Sequence, residues 1–287
     1  PGGKQIWRWV IGTPLLFYAF HNWDLWAMVP AVIGIYAYSK NRDALAGSTL
    51  AVGASAKLFP GLFLPPFIIM RWFSGDRRGA IRLTLWAGIV TVLLNGPIAI
   101  ASPTGWAYPV KFQGARSASW GTVWEWFDRI PGIKSLVSTD PAAIANKVSI
   151  LVLGLGLIAI TVLAVRRNLS AVAVAAAATA LFLLSNKIYS PTYDLWMVPF
   201  FVLLAIPRRV WLAYCAADIG VFVLVFGRFH GFWEAQAVVN SLWLFVFLRA
   251  ATLVFVIFIA LRSTAPSSPD LGTMWDHVRT PAGGPNR

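Results

Sequence analysis

The chain has 287 residues, of which 58% are hydrophobic and only 12% charged, with a mean hydropathy of +0.67. Soluble domains carry about twice that charged fraction, so a water-soluble globular protein is excluded. The formal net charge of +13 does not mark a nucleic-acid face. Its basic residues sit in pairs beside apolar runs, as at Lys40 and Arg42, Arg77 and Arg78, Arg166 and Arg167, and Arg208 and Arg209, which is the pattern of topology anchors. The single cysteine, Cys215, rules out an internal disulfide and any cysteine-based metal cluster.

Apolar runs approaching the roughly 20 residues that cross a bilayer core recur from end to end. In chain order they predict spans over 6–20, 25–38, 81–101, 148–165, 171–184, 195–206, 210–226 and 237–261. The fold class is therefore all-α, a polytopic transmembrane helix bundle over residues 1–262. The chain opens on Pro1 without a signal-peptide pattern and is expected to lack an N-terminal part that carries further spans. Between Ala44 and Trp72 the run "ALAGSTLAVGASAKLFPGLFLPPFIIMRW" has basic residues on both flanks, with Lys57, Pro60 and Pro65-Pro66 inside. Two short helices meeting partway across are expected there, and such broken backbone is tolerated only where protein or water surrounds it. The tail over 263–287, rich in Pro, Ser and Gly, reads as a disordered cytoplasmic extension.

With each basic pair assigned to the cytoplasm, four connections face outward. They are "HNWD" at 21–24, a long loop at about 102–147, "NKIYSPTYD" at 186–194 and "GRFHGFWEAQ" at 227–236. This outer side still holds cations, among them Lys111, Arg116, Arg129, Lys134, Lys187 and Arg228, and cations kept there against the topological bias invite an anionic partner. His21 and Asp24 stand three residues apart at a helix junction, within reach of one substrate; an aromatic belt with Asp24 capping the next helix is the plainer alternative. Trp120 and its neighbouring tryptophans alternate with Arg116 and Glu125, a mixture that suits sugar faces and lipid headgroups equally. Lys187 has an ammonium for a phosphate, while Tyr189, Tyr193 and Asp194 add phenols and a carboxylate beyond what a turn needs. Arg228, His230 and Glu234 repeat the theme, with His230 a candidate proton donor to a leaving group.

Two charges lie deeper in apolar sequence, Lys57 and Arg249. Each would cost about 2.5–3.5 kcal/mol at a lipid-facing helix centre, so each should face protein or water, and Arg249 calls for a phosphate or a buried carboxylate. Nucleotide-hydrolysis and hydrolase motifs (a Walker loop, HExxH, GxSxG) are absent from the sequence.

Three stretches together resemble glycosyltransferase family 87 of the multi-span GT-C superfamily. They are Asn22 to Asp24 followed by Ala46-Gly47 and Lys57 to Pro60; Ser190, Pro191, Tyr193, Trp196 and Pro199; and "ARSASWGTVWEWF" around Arg116 and Trp120. The resemblance covers most of residues 20–200, in order. It implies a GT-C-type bundle in the plasma membrane that moves a sugar, mannose or arabinose favoured, from a polyprenyl-phosphate donor. The acceptor would be a glycolipid or a cell-envelope glycan on the extracytoplasmic face. The implied partners are membrane lipids, that donor and that acceptor, with no nucleic acid. No metal ligand is assigned, and divalent-metal dependence is left open. On this reading Asp24 and His230 are the catalytic candidates, and Lys187, Arg228, Lys57 and Arg116 bind the donor phosphate. His21, Tyr189, Tyr193, Asp194, Trp120 and Glu234 line the substrate. The superfamily's usual base, an acidic residue in the first outer loop, falls before "HNWD", which leaves Asp24 open to a shaping role. A transporter or flippase of lipid-linked sugars and a noncatalytic assembly protein are the rival readings; the first should show inverted repeats, which the sequence lacks.

Overall fold

The computed structural model describes residue 6 and residues 11–127, 141–204 and 206–263. Arg129, Lys134 and all of the tail beyond Ser263 lie outside them. Among the described residues every regular element is helical. Four helices are long and apolar enough to cross a membrane, over Arg77–Ala101, Ile144–Arg167, Arg208–Phe229 and Gln236–Arg262. Their outer surfaces are apolar as well, with Leu85, Val92 and Leu93 on the first and Ile150, Leu155 and Ile158 on the second all exposed. A helix satisfies its own backbone polar groups, which hydrocarbon cannot do for it. The chain has the build of a membrane protein.

The N-terminal part is a hairpin of shorter pieces. Helix α1 (Thr13–Tyr18) leads through a turn into α2 (Asp24–Ser39). Asn41, with φ 57, makes the tight reversal into α3 (Asp43–Ala56); a short polar side chain tolerates this left-handed backbone better than most. Lys57 then leaves the helix in extended conformation (φ −150, ψ 134). A 3₁₀ turn over Phe59–Phe63 follows, and α4 (Leu64–Phe73) runs back. The two short helices expected between Ala44 and Trp72 are these. Their basic ends are locked together, since Arg71 pairs with Asp43 at 2.8 Å and donates to the Tyr38 carbonyl at 2.7 Å. The next helix, α5 (Arg77–Ala101), is capped by Asp76, which accepts from the Gly79 amide at 2.8 Å. Helix α3 packs between α2 and α5. Gly47 makes the second contact possible, because a Cβ there would lie 2.3 Å from the Leu83 carbonyl oxygen.

The stretch expected as a long outer loop is largely helical where it is described. Helix α6 (Pro103–Ala115) and the short α7 (Val123–Phe127) occupy it, and α8 starts at Pro141 and runs to Arg167. Asn168 (φ 49) turns the chain into α9 (Ala171–Ser185), capped by Ser170. Alanine fills nearly half of α9, and no residue along it is exposed. It forms the axis around which α8, α12 (Ala235–Arg262) and the broken hairpin pack.

One expected span does not form. Residues 195–206 make the end of a 3₁₀ segment (Pro191–Met197) and a six-residue helix, α10 (Val198–Leu203). Pro191 and Pro199 withhold two backbone donors within nine residues, and the segment is buried among other elements rather than presented to lipid. Helix α11 (Arg208–Phe229) then packs against α12. The first expected span, 6–20, is helical over Thr13–Tyr18, and residues 7–10 lie outside the described set.

Candidate functional site

At the end of the bundle opposite the Arg71–Asp43 lock, two breaks in helix bring opposite charges together. Asp24 opens α2, yet its side chain caps nothing. It is fully buried and accepts from the indole N–H of Trp196 at 2.8 Å, across 172 residues of sequence. Trp196 is held flat between Phe59 and Tyr193, with ring centroids at 4.2 and 4.1 Å, so its N–H direction is fixed. Lys57, freed by the end of α3, reaches the same Asp24 oxygen at 3.1 Å. Its ammonium also lies over the rings of Trp23 (5.7 Å) and Tyr193 (5.3 Å), and its side chain is 16% exposed. Cations are attracted to such ring faces, more strongly when desolvated. The other Asp24 oxygen, Oδ2, is buried with no hydrogen-bond partner among the described residues. Burial raises the Tyr193 phenol above its ordinary range, the Asp24 charge adds to this and Arg116 opposes it. Arg116 therefore acts on the same patch, although its side chain is exposed, bonded to Gln113 at 3.3 Å and set over Phe112.

Family models, curated proteins and solved structures yield no match to this chain. The chemistry of its sites rests on its own side chains.

A second cluster lies deeper. Arg249, in the middle of α12, is 1% exposed and pairs with the fully buried Asp194 at 3.0 Å. It also donates to the Gly121 carbonyl at 2.6 Å and stands 3.8 Å over the Tyr189 ring. The hydroxyls of Tyr189 and Tyr214 both donate to Asp194 Oδ1. The carboxylate that Arg249 required is thus Asp194. Burial pushes the Tyr189 phenol well up, with Asp194 adding to the shift and Arg249 opposing it. A small crevice beside Arg249 and Tyr189 is walled by Gly121, Leu184, Val246 and Leu253.

The remaining residues expected at the site have other surroundings. Lys187 does not present its ammonium outward; it is 2% exposed and donates to the carbonyls of Gly114 (2.9 Å) and Arg116. Together with Ser119, whose amide donates to the Lys187 carbonyl and whose hydroxyl accepts from the Tyr189 amide, it stitches the 114–122 segment to the 186–194 elbow. Tyr189 and Asp194 are consumed by the Arg249 cluster rather than lining an open surface. Trp120 is half-buried against Val221, Val225 and Val246, so it serves packing. His21 is exposed, its ring edge-on to Phe226 at 5.5 Å. His230 is exposed beside Phe232, and Glu234 is exposed at the start of α12 without capping it. Arg228 is half-buried, with an unpartnered Nε among the described residues. No hydrogen bond or ion pair joins these last four to Asp24 among the described residues. Nor do three or more His, Cys, Asp or Glu side chains gather there as a metal-ligand set.

Sequence reasoning overlooked Tyr18, Tyr214 and Asp218, all fully buried. Asp218 had a signal, an ionisable residue inside the apolar run "CAADIGVF". The tyrosines had none, because a phenol is at home in an aromatic-rich span.

Proposed function

We propose that this protein is a membrane glycosyltransferase of the GT-C kind, moving a sugar from a polyprenyl-phosphate donor to a glycolipid or envelope-glycan acceptor at the outer face of the plasma membrane. The observation that carries the reading is the Asp24–Lys57 arrangement: a buried carboxylate with one oxygen fixed by Trp196 and Lys57 and the other without a partner among the described residues, covered by a partly exposed ammonium between two rings. In this reading the donor phosphate draws Lys57 and Arg116 to itself, which uncovers Asp24. Oδ2 takes the proton of the acceptor hydroxyl as that oxygen bonds to the anomeric carbon. The bond from that carbon to the phosphate oxygen breaks, and its electron pair stays on the phosphate, where the two cations hold it. Trp23 and Tyr193 offer ring faces to the sugar. Lys187 has a scaffold part here, and His230 and Arg228 stand outside the reacting group.

The test is transfer of labelled sugar from polyprenyl phosphate in membranes carrying the protein. Asp24→Asn should lower transfer by about 10²–10⁴-fold, the usual weight of a positioned base, with the protein still present in the membrane. Lys57→Met should lower it too and weaken donor binding. Undiminished transfer in both variants overturns the assignment. Lipid-linked sugar that crosses the bilayer without a new glycosidic bond makes the protein a transporter instead.

A further inference from the structure

Among the described residues, charge does not balance in the deep cluster. Asp194 and Asp218 are both fully buried, and the one buried guanidinium with them among the described residues, Arg249, gives its Nη1 to Asp194. Tyr214 and Asp218 lie one turn apart on α11 and so share a face. The Tyr214 hydroxyl reaches Asp194 Oδ1 at 2.6 Å, and Asp218 has Asp194 and Thr13 beside it. Tyr18 donates to Asp218 Oδ1 at 2.9 Å. Asp218 Oδ2 and the Thr13 hydroxyl, however, are buried with no hydrogen-bond partner among the described residues.

Among the described residues, Thr13 and Tyr18 of α1, Asp194 of the elbow, Cys215 of α11 itself and Arg249 of α12 act on Asp218. A phenol, a hydroxyl and a thiol add no positive charge, so among the described residues two carboxylates share one cation. An uncompensated ion in the interior carries a penalty that a neighbouring positive charge must offset. Water-exposed side chains cannot do this for Asp218, whose own exposure is nil.

We infer that Asp218 holds one exchangeable monovalent cation, a proton or a sodium ion, on the side of its Oδ2 and the Thr13 hydroxyl. Both ions supply the single missing charge, and both suit a pocket of carboxylate and hydroxyl oxygens. A proton on Oδ2 turns that oxygen into a donor toward the Thr13 hydroxyl or Asp194. Sodium would take the same oxygens as hard donors. The inference does not depend on sugar transfer, since it concerns a cluster apart from Asp24.

The experiment is thermal unfolding of the purified chain in detergent, with sodium exchanged for N-methylglucamine at constant ionic strength and with pH varied through neutrality. An ion bound only by the folded state multiplies the folded-to-unfolded ratio tenfold for each tenfold rise above its dissociation constant. Sodium therefore raises the melting temperature, or, for a proton, the melting temperature falls as pH climbs through neutrality, where ordinary carboxylates do not titrate. Asp218→Asn, of the same shape without the charge, should abolish whichever response the parent shows. A parent protein indifferent to both ions overturns the inference, as does an Asp218→Asn protein that keeps the response. If that variant does not fold, the parent still decides: saturable sodium NMR broadening, or an infrared band of a protonated carboxyl in the folded protein at neutral pH, is expected. The absence of both overturns the proposal.

Discussion

Replacing Arg249 by Met tests how the interior of the bundle is held. The substitution keeps an unbranched chain of similar reach and removes the charge that pairs with Asp194 at 3.0 Å. Asp194 is fully buried and receives two phenolic hydroxyls, which soften its isolation but do not neutralise it. Breaking a buried pair from one side costs about 3–5 kcal/mol. The lost donation to Gly121 and the lost contact with the Tyr189 ring belong to that figure rather than adding to it, because the three act through one side chain. Removing the orphaned charge as well, with Asp194→Asn, should recover a large part of the loss, since the penalty lies mostly in the uncompensated carboxylate. Reversible unfolding in mixed micelles titrated with a denaturing detergent measures both variants. A single variant within about 1 kcal/mol of the parent would refute the reasoning, and so would a double variant no more stable than the single, against the magnitude expected for buried pairs.

Other outcomes follow from the same packing. Lys187→Met should loosen the 114–122 segment from the elbow, read as faster proteolytic cleavage there with little change in helix content, because two carbonyls lose their donor. Gly47→Ala places a Cβ 2.3 Å from the Leu83 carbonyl oxygen and should destabilise the chain by about 1–3 kcal/mol as α3 and α5 are forced apart, measured by the same unfolding titration. Trp196→Phe preserves the stack between Phe59 and Tyr193 but leaves Asp24 without its indole donor; a loss of about 1–3 kcal/mol is expected. Transfer activity measured alongside should fall more than protein abundance does.

Local signals carried much of the architecture. Basic flanks around Pro60 and Pro65-Pro66 announced the broken hairpin, because proline and charge act over a few residues. The cost of a buried charge showed that Arg249 needs a carboxylate without showing which one. Asp194 lies 55 residues away, and only packing selects it. The same distance problem hid the Trp196–Asp24 bond, whose two ends were each visible as motif residues. Lys187 misled for a different reason. An ammonium in an outer turn looks free in sequence, while its real partners are main-chain carbonyls, which every residue carries and no pattern marks. The lost span at 195–206 was apolar enough to cross a membrane, but apolar character alone does not separate lipid-facing helix from buried, proline-broken chain.

The shortness of α9 sets the depth of the chain that follows it. Its 15 residues rise about 22 Å, against about 42 Å for the 28 of α12 beside it and about 30 Å for the hydrocarbon layer. Because neighbours wrap α9 on all sides, no lipid has to thin to meet its ends. The chain that follows it, from Asn186 to Met197, consequently begins below the rim set by the taller helices. Its charged side chains, Lys187 and Asp194, are accordingly enclosed by protein on every side, at a depth where the taller helices stand between them and lipid.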